Sequence, residues 1–148
     1  MDESGIEEPL YRPFGRAPRG TQVYGEVSGR TTYRLSLIAA LNQSHLLAPM
    51  RFEGYCDTEV FNAWVAQALL PSLKPGQTVI MDNASFHKSS HTQQLIASKD
   101  CMLKYLPTYS PDLNPIETHW AILKARLRKH AVPTQSLEQA IDQVFALY

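Results

Sequence analysis

Two acids stand where chemistry could be done. Asp82 directly follows Val79, Ile80 and Met81 in "VIMDNASFHKS", and Glu117 ends the proline-rich approach "LPTYSPDLNPIE". A carboxylate at the carboxyl end of a buried strand occupies the place where open α/β sheets build their sites. It is partly desolvated there unless something compensates its charge. The competing reading is a turn, because Asp-Asn-Ala-Ser is good turn and capping material. Glu117 also has two readings. Asn114 suits a helix N-cap, Pro115 the first helical position and Glu117 the third, which predicts a capping box. At about 100° per residue, Ile116, Trp120, Leu123 and Leu127 form an apolar stripe, with Glu117, Ala121, Lys124 and Arg128 on a second stripe beside it. A carboxylate leading a row of cations suits a solvated face, or a metal ligand followed by phosphate contacts. Asp2, in "MDESG", is the third acid of interest. Its rival, Asp57 in "GYCDTEVF", reads as a helix cap.

Other side chains are secondary candidates. His87 and His91 are four apart, a metal-binding spacing on a helix, but no cysteine or third histidine accompanies them, which argues against zinc. His87 and Lys88 are placed to support the site or to meet phosphate. Arg12, Arg16 and Arg19 interleave with Phe14 and prolines in "YRPFGRAPRG", which reads as an irregular arm suited to a nucleic-acid backbone. Lys124, Arg126, Arg128 and Lys129 form a second basic cluster, also expected at a helix C-terminus.

The elements that must position these residues follow from pattern. "YRLSLIAAL" and "LLAPMRFEG" predict a strand hairpin, the proline marking an edge or a bend. Asp57 or Thr58 opens a helix to about Leu70, which Pro71 ends. "QTVIMD" predicts a short buried strand, followed by a helix from about Ser89 to Ser98 and a strand at "CMLKYLP". A helix runs from Asn114 to about Lys129. Pro133-Thr134 opens a last helix with Leu137, Ala140, Ile141, Val144 and Phe145 on one side. This order predicts an α/β fold, a mixed sheet with helices on both faces.

Composition bounds the rest. The chain has 148 residues, 44% hydrophobic and 19% charged, which suits one globular domain. Formal net charge is zero, so any argument for nucleic acid must come from local clusters. Two cysteines without motif spacing predict a reducing, intracellular setting. No apolar run reaches the roughly 20 residues of a membrane span, and the acidic start is unlike a signal peptide.

Taken together, "MDESG", "VIMDNASFHKS" and "LKYLPTYSPDLNPIETHW" resemble the three acidic blocks of the DDE transposases, most closely the Tc/mariner superfamily and its bacterial insertion-sequence branch. The spacing agrees, with 34 residues between Asp82 and Glu117. The resemblance implies a ribonuclease H-like fold, and Asp2, Asp82 and Glu117 as the catalytic and metal-binding carboxylates. It implies Mg²⁺ or Mn²⁺, as two ions, because hard cations take oxygen ligands and an ion pair can stabilise both oxygens of an in-line phosphoryl displacement. It implies DNA as partner, both transposon ends and target. Arg12, Arg16, Arg19, His87, Lys88, Lys124 and Arg128 become the expected DNA contacts, and a homodimer acting in the cytoplasm at the nucleoid the expected setting.

Against that pattern, residues 1–148 read as a single catalytic domain without the helix-turn-helix region that family members use to find their ends. Met1 directly precedes Asp2, so the first strand lacks its apolar first half. Three origins are consistent: a split gene with a separately encoded helix-turn-helix subunit, a remnant, or a displaced start. A catalytically inactive DNA-binding or interaction module, and another ribonuclease H-like nuclease, are the alternative functions. Asp2 is expected to be the least ordered of the three acids.

Overall fold

The computed structural model describes residues 1–7, 10, 15–24, 33–130 and 136–146. It opens with an antiparallel meander: β1 (Asp2–Glu7), β2 (Arg34–Asn42) and β3 (His45–Glu53). β2 is buried over Leu35–Ala40, which explains why it reads as a continuous apolar run rather than an alternating one. Leu35, Leu37 and Ala39 face one core; Ile38 and Ala40 face the other. β3 lies at the sheet edge. Its proline falls where the register shifts between Ile38 and Ala40, beside Ala48 at φ 51°. The predicted bend is therefore a β-bulge.

Asp57 caps α1 (Thr58–Trp64), its Oδ1 accepting from the amides of Glu59 and Val60, both at 2.9 Å. The sequence predicts that Pro71 ends this helix. Instead the chain widens through a π-turn, Val65–Leu69, and closes with α2 (Leu70–Ser72), which contains Pro71. A proline ring clashes with the carbonyl four residues back. Widening relieves that, and the amide of Leu70 reaches Val65 O.

In the second half β4 (Thr78–Met81) and β5 (Met102–Tyr105) run parallel, joined through α3 (Ser90–Ala97), the β-α-β connection for which a right-handed crossover is the rule. Ser89 caps α3 by accepting from the amide of Thr92 at 2.9 Å. The strands form two hydrogen-bonded sheets, β1-β2-β3 and β4-β5, and the Met1 amino group, which donates to Ile80 O at 2.7 Å, sets the start of β1 beside β4. Two long elements follow, α4 (Ile116–His130) and α5 (Leu137–Phe145). The predicted opening of the last helix at Pro133-Thr134 lies outside the described residues; α5 itself is capped by Ser136, which forms a capping box with Gln139.

One core lies on each face of the sheet. Phe61, Trp64, Val65, Leu69, Met81 and Ile96 fill the first. Ile6, Leu35, Ile116, Trp120, Leu123 and Ile141 fill the second. Full burial of each such side chain contributes roughly 1.5–3 kcal/mol, so both faces hold the strand ends in place. The predicted mixed sheet with helices on both faces is the observed one. No helix among the described residues is long and apolar enough to cross a membrane.

Candidate active site

Asp2 opens β1 and is 7% exposed. Its Oδ1 accepts from the Glu3 amide at 2.8 Å, and its Oδ2 from Asn114 Nδ2 at 3.2 Å. Burial, with the nearby carboxylates of Glu3, Glu117 and Asp82, raises its pKa to about 7. The expected loose end is thus a buried, doubly bonded carboxylate.

Asp82 follows β4 and is half-exposed. Its Oδ1 accepts from the Ala84 amide at 3.2 Å, the turn geometry its sequence suggested. The same oxygen lies 2.5 Å from His87 Nδ1. That nitrogen has no aligned hydrogen-bond acceptor, so the contact is an off-axis ion pair rather than a well-directed hydrogen bond. The imidazole, assisted by the Ala84 amide, holds the Asp82 carboxyl below its ordinary range.

His87 sits in a 3₁₀ turn, Ser85–Lys88, and is fully buried. Its Nε2 is 2.8 Å from Glu3 Oε1, and its ring lies 4.3 Å from Phe61 and 4.4 Å from Phe86, centroid to centroid. Tyr105 donates its hydroxyl to His87 O at 3.0 Å, tying the turn to β5. Burial opposes the charged imidazole, but Asp82 and Glu3 outweigh it and raise the pKa to about 9. The expectation that His87 contacts DNA is therefore corrected: it is enclosed by aromatic rings and two acids and is not at the surface.

Glu117 is exposed on the first turn of α4. The predicted capping box is not formed. The 3₁₀ turn Pro111–Leu113 takes the Asn114 amide onto Pro111 O at 2.9 Å, and the Asn114 side chain goes to Asp2. Both halves of the cap are used elsewhere, so Glu117 has no cap to bond back to. The prolines thus fix the loop and leave the glutamate facing the cleft.

Asp2, Asp82 and Glu117 all line one open cavity of about 360 Å³, together with Pro107, Tyr109 and Asn114. Tyr109 is 99% exposed and adopts φ 58°, a left-handed conformation uncommon for a large side chain. Among the described residues no three His, Cys, Asp or Glu side chains converge into a ready-made metal cage. Three unneutralised carboxylates repel one another. Mg²⁺-type ions ordinarily take one or two carboxylates and complete their shell with water and substrate phosphate. The donor set fits such an ion: carboxylate oxygens only, one already pushed towards protonation by burial and by its neighbours.

The basic candidates divide. Lys124 is half-buried; burial lowers its pKa, Glu117 pulls it back up, and Arg128 and Arg34 lower it further. It therefore stands between the acids and the cations, as the helical stripe predicted. Arg128 and Lys88 are exposed, as are Arg16 and Arg19 on an irregular segment; Arg12 lies outside the described residues. Among the described residues, none of these lines the acid cavity. Two residues next to the acids escaped the sequence reading. Glu3 adjoins Asp2, and strand alternation sends it to the opposite face, towards His87. Asn114 read as a cap and nothing in its local sequence points to a residue at the other end of the chain.

The sequence profile described as "DDE superfamily endonuclease" matches residues 1–139. A search of curated proteins found no match. Among solved structures, the Mos1 transposase paired-end complex with left transposon end superposes with a TM-score of 0.76 at 17% identity, covering 99% of this chain and 47% of that one. The Mos1 mariner paired-end complex with Mn gives 0.71 at 16% identity, over 99% and 47%. The simian T-cell lymphotropic virus intasome gives 0.61 at 16% identity, over 92% and 54%. This chain therefore spans about half the length of those proteins, and its fold is ribonuclease H-like.

Proposed function

The chain belongs to the DDE superfamily endonucleases, and from that premise we propose that it is the catalytic part of a Tc/mariner-type transposase that cleaves DNA strands and transfers them to a target. The reading is supported above all by one observation: Asp2, Asp82 and Glu117, from two strands and a helix, line the same open cavity. Asp2, Asp82 and Glu117 would hold the divalent cations, Mg²⁺ or Mn²⁺. When bound, such ions neutralise charge on the attacking and leaving oxygens of a phosphoryl transfer.

The chain's own residues divide the work. Asp82 stays ionised because His87 is beside it. Asp2 shares a proton near neutral pH, because burial and neighbouring acids disfavour its charge, and it would have to be ionised to hold a cation. Glu117 closes the third side from a loop stiffened by Pro107, Pro111 and Pro115, which limits the conformations the unfolded chain can reach. Lys124, a further two turns along α4, is placed to meet a phosphate of the same strand; Arg128, Lys88, Arg16, Arg19 and Arg12 are proposed to contact DNA further out. Phosphate contacts position DNA without reading it, so recognition of transposon ends is proposed to reside in a helix-turn-helix region, in the same polypeptide or a separate one. Pairing of two such catalytic units would bring two ends together.

The test is Mg²⁺- or Mn²⁺-dependent nicking of a matched transposon-end duplex, with the products' 3′-hydroxyl ends identified. Metal-dependent 3′-hydroxyl ends are expected. Cleavage that persists in chelator, or that prefers RNA–DNA hybrids, would contradict the reading.

A further inference from the structure

The three acids share their cavity with a loop that carries no acid. Residues 106–111 run from β5 into the 3₁₀ turn ahead of α4, and all of them line the cavity. Within this loop Tyr109 is 99% exposed. Two other tyrosines are largely exposed, and each has something to rest on. Tyr24 donates its hydroxyl to Gln22 Oε1 at 2.8 Å, and the Arg34 guanidinium lies 4.8 Å above the centre of the Tyr55 ring. Tyr109, almost wholly in solvent, packs against nothing.

This placement works against stability in two ways. An exposed ring forgoes the burial that makes aromatic side chains stabilising. The backbone at φ 58° is strained for any residue with a Cβ, and glycine or asparagine would make the same turn with less strain. Among the described residues, Gln43, Ala48 and Asp100 are the other non-glycine residues in this conformation. They serve the β2–β3 turn, the β3 bulge and the exit from α3, and none of them is aromatic. Pro107 and Pro111, two residues to either side of Tyr109, fix their own φ, so the ring is presented from a stiffened loop. Backbone strain of this kind concentrates at sites that bind ligands.

We propose that the Tyr109 ring is a stacking face for a nucleobase, the base joined to the phosphate that the acids and their cations hold. This deepens the reading of the cavity as a DNA-strand site and rests on it. A phosphate drawn to the acid end of the cavity brings its own sugar and base with it, and the base offers flat apolar faces. A tyrosine ring matches such a face, and base–aromatic stacking tolerates any sequence. The stack also sets the form of the DNA. Inside a duplex both faces of a base are covered by its neighbours. The base that meets Tyr109 is therefore unpaired, or displaced from its stack, at the reacting phosphate. Tyr109 thus favours DNA that is open at that point over DNA that is fully paired there, without reading which base it is.

The experiment measures the affinity of the wild-type chain, Tyr109→Phe and Tyr109→Ala for two duplexes of equal length, one fully paired and one with mismatched pairs at its end. Ca²⁺ is present as an ion that takes oxygen ligands, and the readout is the ratio of the two affinities. The wild type and Tyr109→Phe are expected to prefer the open end at least about fivefold, and Tyr109→Ala to bind both duplexes equally. An unchanged preference in Tyr109→Ala, no preference in the wild type, loss of preference in Tyr109→Phe, or no binding at all would each overturn the proposal. The thermal midpoint of Tyr109→Ala is expected to match the wild type, because the ring packs against nothing; a clear drop would place the ring in the fold and overturn it as well. Failure of the cleavage reading looks different. A chain that prefers open ends through Tyr109 but shows no metal-dependent nicking contradicts cleavage alone, whereas nicking with an unchanged preference in Tyr109→Ala contradicts stacking alone.

Discussion

Asp2 and Asp82 are neighbours in one cavity and opposites in environment. Asp2 is buried, bonded to neutral donors and surrounded by other acids, and its pKa rises to about 7. Asp82 is half-exposed beside a buried imidazole, and its pKa falls. The difference shows how a site can concentrate negative charge without unfolding. One carboxylate is kept ionised by the imidazole built into the fold beside it, and burial keeps the other protonated up to about neutral pH. The His87 imidazole, itself raised to about 9 and braced by Glu3, is the internal cation.

The largest effect should erase the difference between the two acids. Asp82→Asn and Asp2→Asn each remove a proposed metal ligand, and each is expected to lower strand cleavage roughly a thousandfold or more. A nicking assay with both variants checks this; either one retaining activity within tenfold would remove that acid from the metal site.

The next effect separates them. His87→Ala removes the buried cation, leaves Glu3 and Asp82 facing each other, and opens a cavity beside Phe61 and Phe86. We expect about 2–4 kcal/mol of destabilisation by denaturant unfolding. Loss below about 1 kcal/mol would mean that the imidazole is not what holds Asp82.

A smaller effect sharpens the contrast through pH. Asp2 and His87 both have folded pKa values above their ordinary ones. Each therefore contributes stability that is complete at low pH and is lost as pH rises: for Asp2 from its ordinary 3.8 through about 7, and for His87 from 6.5 through about 9. Asp82, depressed, contributes in the opposite sense, with stability lost only as pH falls below 3.8. The metal-free protein should thus be most stable near pH 4 and weaken steadily to pH 9. In Asp2→Asn the decline between pH 4 and 7 should flatten while that between pH 7 and 9 remains. Thermal midpoints across this range check both statements.

The smallest effect concerns the amide that bridges the two ends of the chain. Asn114→Ala removes one neutral hydrogen bond to Asp2 and is expected to cost about 1 kcal/mol, measured by denaturant midpoint, with the fold kept.

What the sequence made legible was local. The strand ending at Asp82, α3 with its serine cap, the Asp57 cap and the apolar stripes of α4 and α5 all follow from spacing within a few residues. The three acids that line one cavity were also singled out in sequence, through three short blocks read together. The misses have a common physical cause. His87 is buried by Phe61, Phe86 and Glu3, and Asn114 is drawn from its cap by Asp2; these partners are distant in the chain and adjacent only after the sheet forms. The capping box at Glu117 failed because a tighter 3₁₀ turn captured the same amide first. The π-turn before Pro71 is likewise a tertiary compromise, since it keeps Leu69 in the core while relieving the proline.

The central claim is that Asp2, Asp82 and Glu117 together bind a divalent cation. Titration of Mn²⁺ followed by the loss of its free-ion paramagnetic signal, at pH 8 on the wild-type chain, Asp82→Asn and Glu117→Gln, tests it most directly. Saturable binding to the wild type, weakened at least tenfold in each variant with unchanged circular dichroism, is the result expected. Equal affinity in all three proteins would contradict it.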